Sequence, residues 1–573
     1  MSQPSPMLLT PFSIQRIRTG LFAAAVVFSS SVFSSSFAAY AAAPPDTPQD
    51  DPVLSAMQAE LNREQPLLVL PGMERPYFIE YRLDDRASYE AVANFGALVR
   101  EESVRQRIVR VTVRVGSNAT DSSSSRGDGS ITLAPTDDNF AAIRHCLWTA
   151  TDEAYKNALR AYAAKQAALK HFETAPTQND FAAAKPIVHI GPLQTVSIDR
   201  EDWKHRIVEA SGLYTTDPEV RSFAADVEYS SASLRALAFN RYIVNTEGTV
   251  VREGFSDYAA NVSVGGQAPD GMQLARDNGT TATTAAEMDS WPVFRKRVIE
   301  DLKSLEALRN APVVSAEDYH GPVLFSGDAA ADLMTKLFVP NVEADRPEMG
   351  TTARTLGAYT SSFHASVLPE FLSVTDDPLT TTFAGKSLLG AYQVDDEGVP
   401  AQAVNVVVNG KLENYLIGRT PVRDFPESNG HGRAPAGQAA RSHAGVLIFK
   451  SSAPVPAADM TKRLLAMAKD QGRDVYAVET LGAELSPRLL YLVHPDGTRT
   501  LVRGGVFDEL DTRSLRSSIV AAGDDQFVSN QLGTVPTTII APSLLFDDIG
   551  VKRATDEQNR LPYYGPPAPE STH

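Results

Sequence analysis

The stretch Gly321-Pro-Val-Leu-Phe-Ser-Gly-Asp-Ala-Ala-Ala-Asp-Leu-Met-Thr-Lys-Leu-Phe338 leaves the backbone few choices. Pro322 to Phe325 is a short apolar run that reads as a buried strand. Ala330, Leu333, Met334, Leu337 and Phe338 then fall at helical spacing, so a one-sided helix follows almost without a linker. Ser326 stands where a cap accepts a backbone N–H, and Asp328 in the first turn complements the positive end of the helix dipole. A strand that runs straight into a helix is a common place for an active site. What this junction carries, and what it lacks, decides most of the functional argument.

A chain of 573 residues is long enough for two or more domains with substantial cores. Its net charge of −17 argues against nucleic acid as the main partner, because phosphate binding needs a basic surface. At the N-terminus, Arg16 and Arg18 precede the small, apolar run Gly20 to Ala39, and Ala39-Tyr-Ala41 is an A-x-A site. Residues 1–41 therefore read as a secretory signal peptide, which places the protein in the periplasm or outside the cell. Serines break the run at Ser29 to Ser31 and Ser34 to Ser36, which makes it a poor spanning helix. Cleavage removes two arginines and no acid, leaving −19 and no further membrane segment. Cys146 is the only cysteine, so internal disulfides are excluded and a thiolate zinc site or cysteine nucleophile has one candidate. It lies in a helical pattern, where it reads as a small buried hydrophobe.

Read in order, residues 44–52 form a proline-rich lead-in to a helix over Val53 to Glu64. Strands are expected at Pro76 to Arg82 and Ala87 to Leu98. Val109, Val111, Val113 and Val115 alternate with Arg110, Thr112 and Arg114, a strand with one buried and one wet face. The Ser117 to Ser130 loop contains Arg126-Gly-Asp128, a chance match to an adhesion tripeptide. A long helix, capped at Thr136, is expected from Asp137 to Phe172. Helices over Arg200 to Leu213 and Pro218 to Ala225 precede strands at Val227 to Leu237, Ala238 to Asn245, Thr249 to Val264 and Gly271 to Asp277. The helix Ala286 to Asn310 links to the second half. Beyond the junction, Asn409-Gly410 marks a hairpin between Gln402 to Val408 and Lys411 to Ile417. Ser428 to Arg441 reads as a flexible Gly/Ala/Pro-rich loop, Ala457 to Gln471 as a helix, and the remaining segments as strands.

Asp395-Asp-Glu-Gly-Val-Pro-Ala-Gln402, followed by Val406-Val-Val-Asn-Gly-Lys-Leu-Glu-Asn-Tyr-Leu416, resembles a signature of the TldD/PmbA family. This is a family of metallopeptidases also called modulators of DNA gyrase. Arg241-Tyr-Ile-Val-Asn-Thr-Glu-Gly-Thr249, Gly321-Pro-Val-Leu-Phe325 and Gly533-Thr-Val-Pro536 agree with it in order and spacing. The resemblance implies an α+β fold, with a mixed α/β N-terminal half carrying long helices and a β-rich C-terminal half. The expected division is 1–41 signal peptide, 42–310 N-terminal domain, 311–555 C-terminal domain and 556–573 a disordered tail. It also implies homodimers, or heterodimers with a paralogue, that admit extended or unfolded peptides.

In catalytic relatives the helix after the buried strand carries His-Glu-x-x-x-His, whose histidines hold zinc together with a distant cysteine. Here Ser326 and Ala331 stand at the histidines, Gly327 at the glutamate and, counting back from Pro536, Val528 at the cysteine. None of these is a competent zinc ligand, and the chain resembles the branch of the family without the motif. No metal is therefore expected, and no catalytic or substrate-binding residue is assigned. Asp328 and Asp332 lie at i, i+4 and with a histidine form the only apparent replacement set, although a dipole partner and a solvated residue explain them as well. His320, His364, His431 and His443 read as ordinary histidines. The acidic turn Asp395 to Glu397 suits a peptide amine or a cation, or needs no function at all. The expected role is a non-catalytic peptide-binding or partner subunit; the alternative is a metallopeptidase with replacement ligands, in which case zinc is the cofactor.

Overall fold

Alternation with period two governs the N-terminal half and produces strands much longer than expected. A computed structural model describes residues 51–554 except 124–128, 172–177, 316, 348–350, 352 and 534. The signal segment 1–41, the Arg126-Gly-Asp128 tripeptide and the tail 556–573 lie outside the described residues. Pro76–Asn94, Ala97–Ser117, Tyr229–Asn245 and Val250–Gln267 form the antiparallel centre of a sheet, with shorter strands at its margins. The expected strands Pro76 to Arg82 and Ala87 to Leu98 merge into one that ends at Asn94, with Ala97 and Leu98 opening the next, and the two expected between Val227 and Asn245 are also one. The polar run Asp84-Asp-Arg86 does not interrupt the first of them because its charges meet partners across the sheet. Asp84 accepts from Arg241 at 2.6 Å, and Asp85 from Arg105 and Arg107 at 2.9 and 2.8 Å.

Pro52–Leu67 and Phe140–Leu169 pack on Tyr81, Leu83 and Val109 to Val115. Arg200–Thr216 and Trp291–Asn310 cover Ala232, Leu234, Ala260 and Val262. The long helix starts later than expected and is capped by Asn139, not Thr136, because the Asn139 side chain accepts from Ala142 N at 2.9 Å.

The arginine face of Ala97–Ser117 is not wet. Arg110, Thr112 and Arg114 are all buried. What covers this face includes the segment expected to be flexible: between Ser428 and Arg441, His431 to Ala434 are buried, and Gly432–Arg433 pairs with Arg441–Ser442. A side chain at Gly437 would meet Ile108 Cγ2 at 2.7 Å, so only glycine lets this backbone lie flat on the sheet. Arginine stems cover apolar surface as they deliver charge, and so a charged strand face can be buried by a glycine-rich loop.

The second half stacks two sheets on the junction. One orders Arg499–Val502, Pro487–Val493, Val475–Leu481, Tyr319–Phe325, Leu544–Arg553 and Gly505–Asp508. The other orders Lys411–Leu412, Val404–Val408, Leu372–Asp376, Val446–Ser451, Thr537–Ala541 and Phe527–Gln531. The expected strand after Asn409-Gly410 stops at Leu412, but the turn itself forms with φ of 48° and 78°. The junction helix Gly327–Leu337 shares one core with both sheets, touching Phe325 and Val478 on one side and Ile539 and Ala541 on the other.

Candidate functional site

The junction forms as its sequence dictates. Tyr319–Phe325 lies between Val475–Leu481, parallel to it, and Leu544–Arg553, antiparallel, so its Val323 and Phe325 are fully buried. Ser326 caps the helix by accepting from Ala329 N at 3.3 Å, and its own hydroxyl donates to the Glu479 carbonyl at 2.7 Å. Both functions of that oxygen are thereby engaged inside the fold. Ala331 is fully buried in the shared core and presents a methyl group. A side chain at Gly327 would meet Phe527 Cβ at 2.7 Å, so this position is filled by the neighbouring strand.

Strand register settles the fourth position. In the pair Phe527–Gln531 with Thr537–Ala541, Val528 faces Ile540, and both join Leu388, Val446 and Ile448 in a separate core. Ile539 and Ala541 face the junction helix instead. Val528, reached by counting back from Pro536, thus points away from the helix. Phe527, Ser529 and Gln531 alternate onto the helix side. The donor chemistry of Ser326, Gly327, Ala331 and Val528 does not fit zinc, and no metal-dependent step follows from it.

Asp328 and Asp332 do share the helix face beside this strand. Burial raises the Asp328 carboxyl, and the Arg276 and Lys386 cations oppose the rise. Burial and the neighbouring Asp328 charge push Asp332 up to about 6, and a hydrogen bond from Gln531 opposes that shift. Gln531 Nε2 also donates to Ser529 Oγ at 2.6 Å, and Lys386 Nζ lies 5.4 Å from the Phe527 ring centre. The result is a half-buried polar strip of Asp328, Asp332, Ser529 and Gln531. It borders the last strand of its sheet: Phe527–Gln531 pairs only with Thr537–Ala541 among the described residues, leaving its outer edge without a strand partner.

The histidines do not complete this strip. His364 Nδ1 meets Glu413 at 2.7 Å, His443 Nδ1 lies 3.4 Å from Glu343, and exposed His320 is 4.0 Å from Asp548. His431 is fully buried, its Nδ1 beside Asn429 O at 3.0 Å and its Nε2 3.5 Å from Asp376. Among the described residues no group of three or more His, Cys, Asp or Glu side chains is placed to hold a metal. Cys146 is half-buried, its thiol donates to the Leu133 carbonyl at 3.3 Å, and burial raises its pKa, which disfavours the thiolate.

The acidic turn lies elsewhere and is interior. Asp395 accepts from Glu397 N at 3.0 Å, Val399 N at 2.8 Å and Gly432 N at 2.9 Å. Asp396 accepts from Ala434 N at 2.6 Å and pairs with Arg241, which also holds Asp84. Burial alone would raise Asp396, but the Arg241 and Arg433 guanidiniums outweigh it and hold the carboxyl below its ordinary range. Glu397 accepts from Arg419 N at 2.5 Å, and the Arg419 side chain pairs with Glu247 at 2.8 Å. A side chain at Gly398 would meet Thr249 Cγ2 at 2.8 Å. Two stretches that stand apart in the sequence, 241–249 and 395–402, are therefore docked on each other. The turn is a charged lock between the N-terminal sheet and the second half, not an exposed cation site.

Residues 318–553 match a family model described as the PmbA/TldA metallopeptidase C-terminal domain. The fold is similar to that of TldE from Thermococcus kodakarensis, with a TM-score of 0.56, 13% identity, and coverage of 87% of this chain and 99% of that one. It is similar also to a candidate modulator of a DNA gyrase from Thermotoga maritima, with a TM-score of 0.57, 15% identity, and coverage of 87% and 99%. A candidate modulator of DNA gyrase from Bacteroides thetaiotaomicron gives a TM-score of 0.56 at 10% identity, with coverage of 87% and 98%. No curated protein matches. The α+β architecture expected from the signature is the one these structures share.

Proposed function

The chain belongs to the TldD/PmbA family, and on that premise we propose that it is an exported, non-catalytic member, a peptide-binding or partner subunit linked to proteolysis. One observation carries this reading: the strand–helix junction keeps its architecture but offers a capping hydroxyl and a buried methyl at the two imidazole positions. A peptidase of this type needs three protein donors and an open coordination position. The open outer edge of Phe527–Gln531 supports the peptide-binding part, since an extended chain adds there by backbone hydrogen bonds and passes Asp328 and Asp332.

The alternative is an active metallopeptidase with Asp328 and Asp332 as replacement ligands. The mutual influence of these two carboxyls favours it, but it requires a third donor from a residue far from them. Elemental analysis of the purified mature chain separates the two. The expected result is no stoichiometric zinc and no chelator-sensitive peptidase activity; bound zinc with such activity overturns the proposal. Co-purification from cells tests the partner, with a homodimer or a heterodimer with a paralogue as the expected assembly.

A further inference from the structure

Two carboxylates stand beside the open strand edge without a counter-ion. Asp328 and Asp332 are half-buried on one face of Gly327–Leu337. Arg276 and Lys386 act on Asp328 and Lys336 on Asp332, but among the described residues none of these cations forms an ion pair with either aspartate. Arg276 pairs with Asp301 instead, at 3.6 Å. Acids buried elsewhere do meet a cation: Asp121 meets Arg114 at 2.9 Å, Asp180 meets Lys165 at 2.6 Å, and Asp217 meets Arg295. At the strip the close neighbour of one carboxylate is the other, and the Asp328 charge disfavours ionisation of Asp332. A cation supplied from outside removes that conflict.

The strand they border also lacks a partner. Phe527–Gln531 ends its sheet, and among the described residues no backbone hydrogen bond joins its outer edge to another segment. Helix and strand run in the same direction, since a side chain at Gly327 would meet Phe527 Cβ at 2.7 Å and Gln531 hydrogen-bonds Asp332. Four residues of helix rise about 6 Å, and two residues of strand span about 6.6 Å. Asp328 and Asp332 are therefore spaced as two successive same-face side chains of a strand added to this edge. The Phe527 ring between them and the rim suits a cation as well, for Lys386 Nζ lies 5.4 Å from its centre. Lys386 is exposed and its side chain makes no ion pair among the described residues, so it can yield to a ligand.

We infer that this edge selects extended peptides with basic side chains at alternate positions, above all Arg-x-Arg, whose two guanidiniums meet Asp328 and Asp332. The inference rests on the peptide-binding reading above and adds to it the chemistry of the peptide. Backbone pairing alone is indifferent to sequence, whereas a guanidinium matches a carboxylate with two parallel bonds. An adjacent pair of arginines does not fit, because neighbouring residues of a strand point to opposite faces.

Calorimetry on the purified protein tests this with three octapeptides of Thr and Val, blocked at both ends. One carries two arginines at alternate positions, an isomer carries them side by side, and an analogue has glutamine in place of both. The first is expected to bind about tenfold or more tighter than either of the others. Asp328→Asn and Asp332→Asn are each expected to cut that advantage to about threefold or less while leaving the affinity for the glutamine analogue unchanged. Equal affinity for the two arginine isomers overturns the inference, since attraction to a protein of net charge −17 then explains the binding. This comparison needs no variant and so decides the matter even if a substitution unfolds the chain. An advantage that survives both variants also overturns it. Equal binding of all three peptides overturns the selection but leaves the peptide-binding reading standing, whereas no binding of any of them removes that reading and the inference with it.

Discussion

At the junction, Ser326, Gly327 and Ala331 are each absorbed into helix capping or packing. At the signature turn, Asp395, Asp396 and Glu397 are three successive acids, and each is absorbed into a buried lock with amides and arginines. The first region is held by packing and a helix cap. The second is held by charge at Asp396, which the Arg241 and Arg433 guanidiniums keep below its ordinary range, and by amide bonds at Asp395 and Glu397, whose carboxyls burial raises. A buried ion pair is costly to form but far costlier to halve.

The largest effect is expected from breaking the lock. Asp396→Ala leaves Arg241 and Arg433 short of a buried counter-charge and is expected to destabilise by about 3–5 kcal/mol, read from urea unfolding. A loss below about 1 kcal/mol would place Asp396 among surface pairs and dissolve the contrast between the regions.

Restoring an imidazole at the junction comes next. Ala331→His forces a larger polar ring into a fully buried site and is expected to cost about 2–3 kcal/mol. Even with Ser326→His added, zinc is expected to give no rise in melting temperature, because Val528 faces the opposite side of its strand. A zinc-dependent rise in the double variant would mean that the junction has kept more of its chemistry than its donors suggest.

The polar strip predicts a smaller, pH-dependent effect. Asp332 titrates at about 6 in the fold, above its unfolded value near 3.9, so the folded state binds the proton more tightly. Its contribution is fully present below about pH 4 and is lost as pH rises through about 6. Asp332→Asn is therefore expected to stabilise the protein at pH 7 by roughly 1 kcal/mol, after allowance for solvent screening of a half-buried group, and to flatten the stability profile between pH 4 and 7. An unchanged profile would show the strip to be solvated surface. The smallest effect, within about 0.5 kcal/mol, is expected for Lys386→Ala, whose cation faces Asp328 and the Phe527 ring from the rim.

The residues alone determined a good deal of the fold. Apolar spacing fixed the strand–helix junction and its Ser326 cap, and Asn409-Gly410 fixed a hairpin turn, because both depend on neighbours within a few positions. The donor chemistry of Ala331 and Val528 was equally legible, since a methyl or an isopropyl group cannot bind a metal wherever it points. The facing of Val528 was not, because counting back from Pro536 ignores which way a strand alternates; period two from Ile539 and Ala541 would have pointed to Phe527, Ser529 and Gln531. The burial of Asp395 to Glu397 and the covered arginine face of Ala97–Ser117 were decided only by tertiary structure. Both draw on partners more than a hundred residues away, Arg241 for Asp396 and Gly437 for Ile108, and no local pattern encodes which groups will meet once a sheet and a distant loop close on one another.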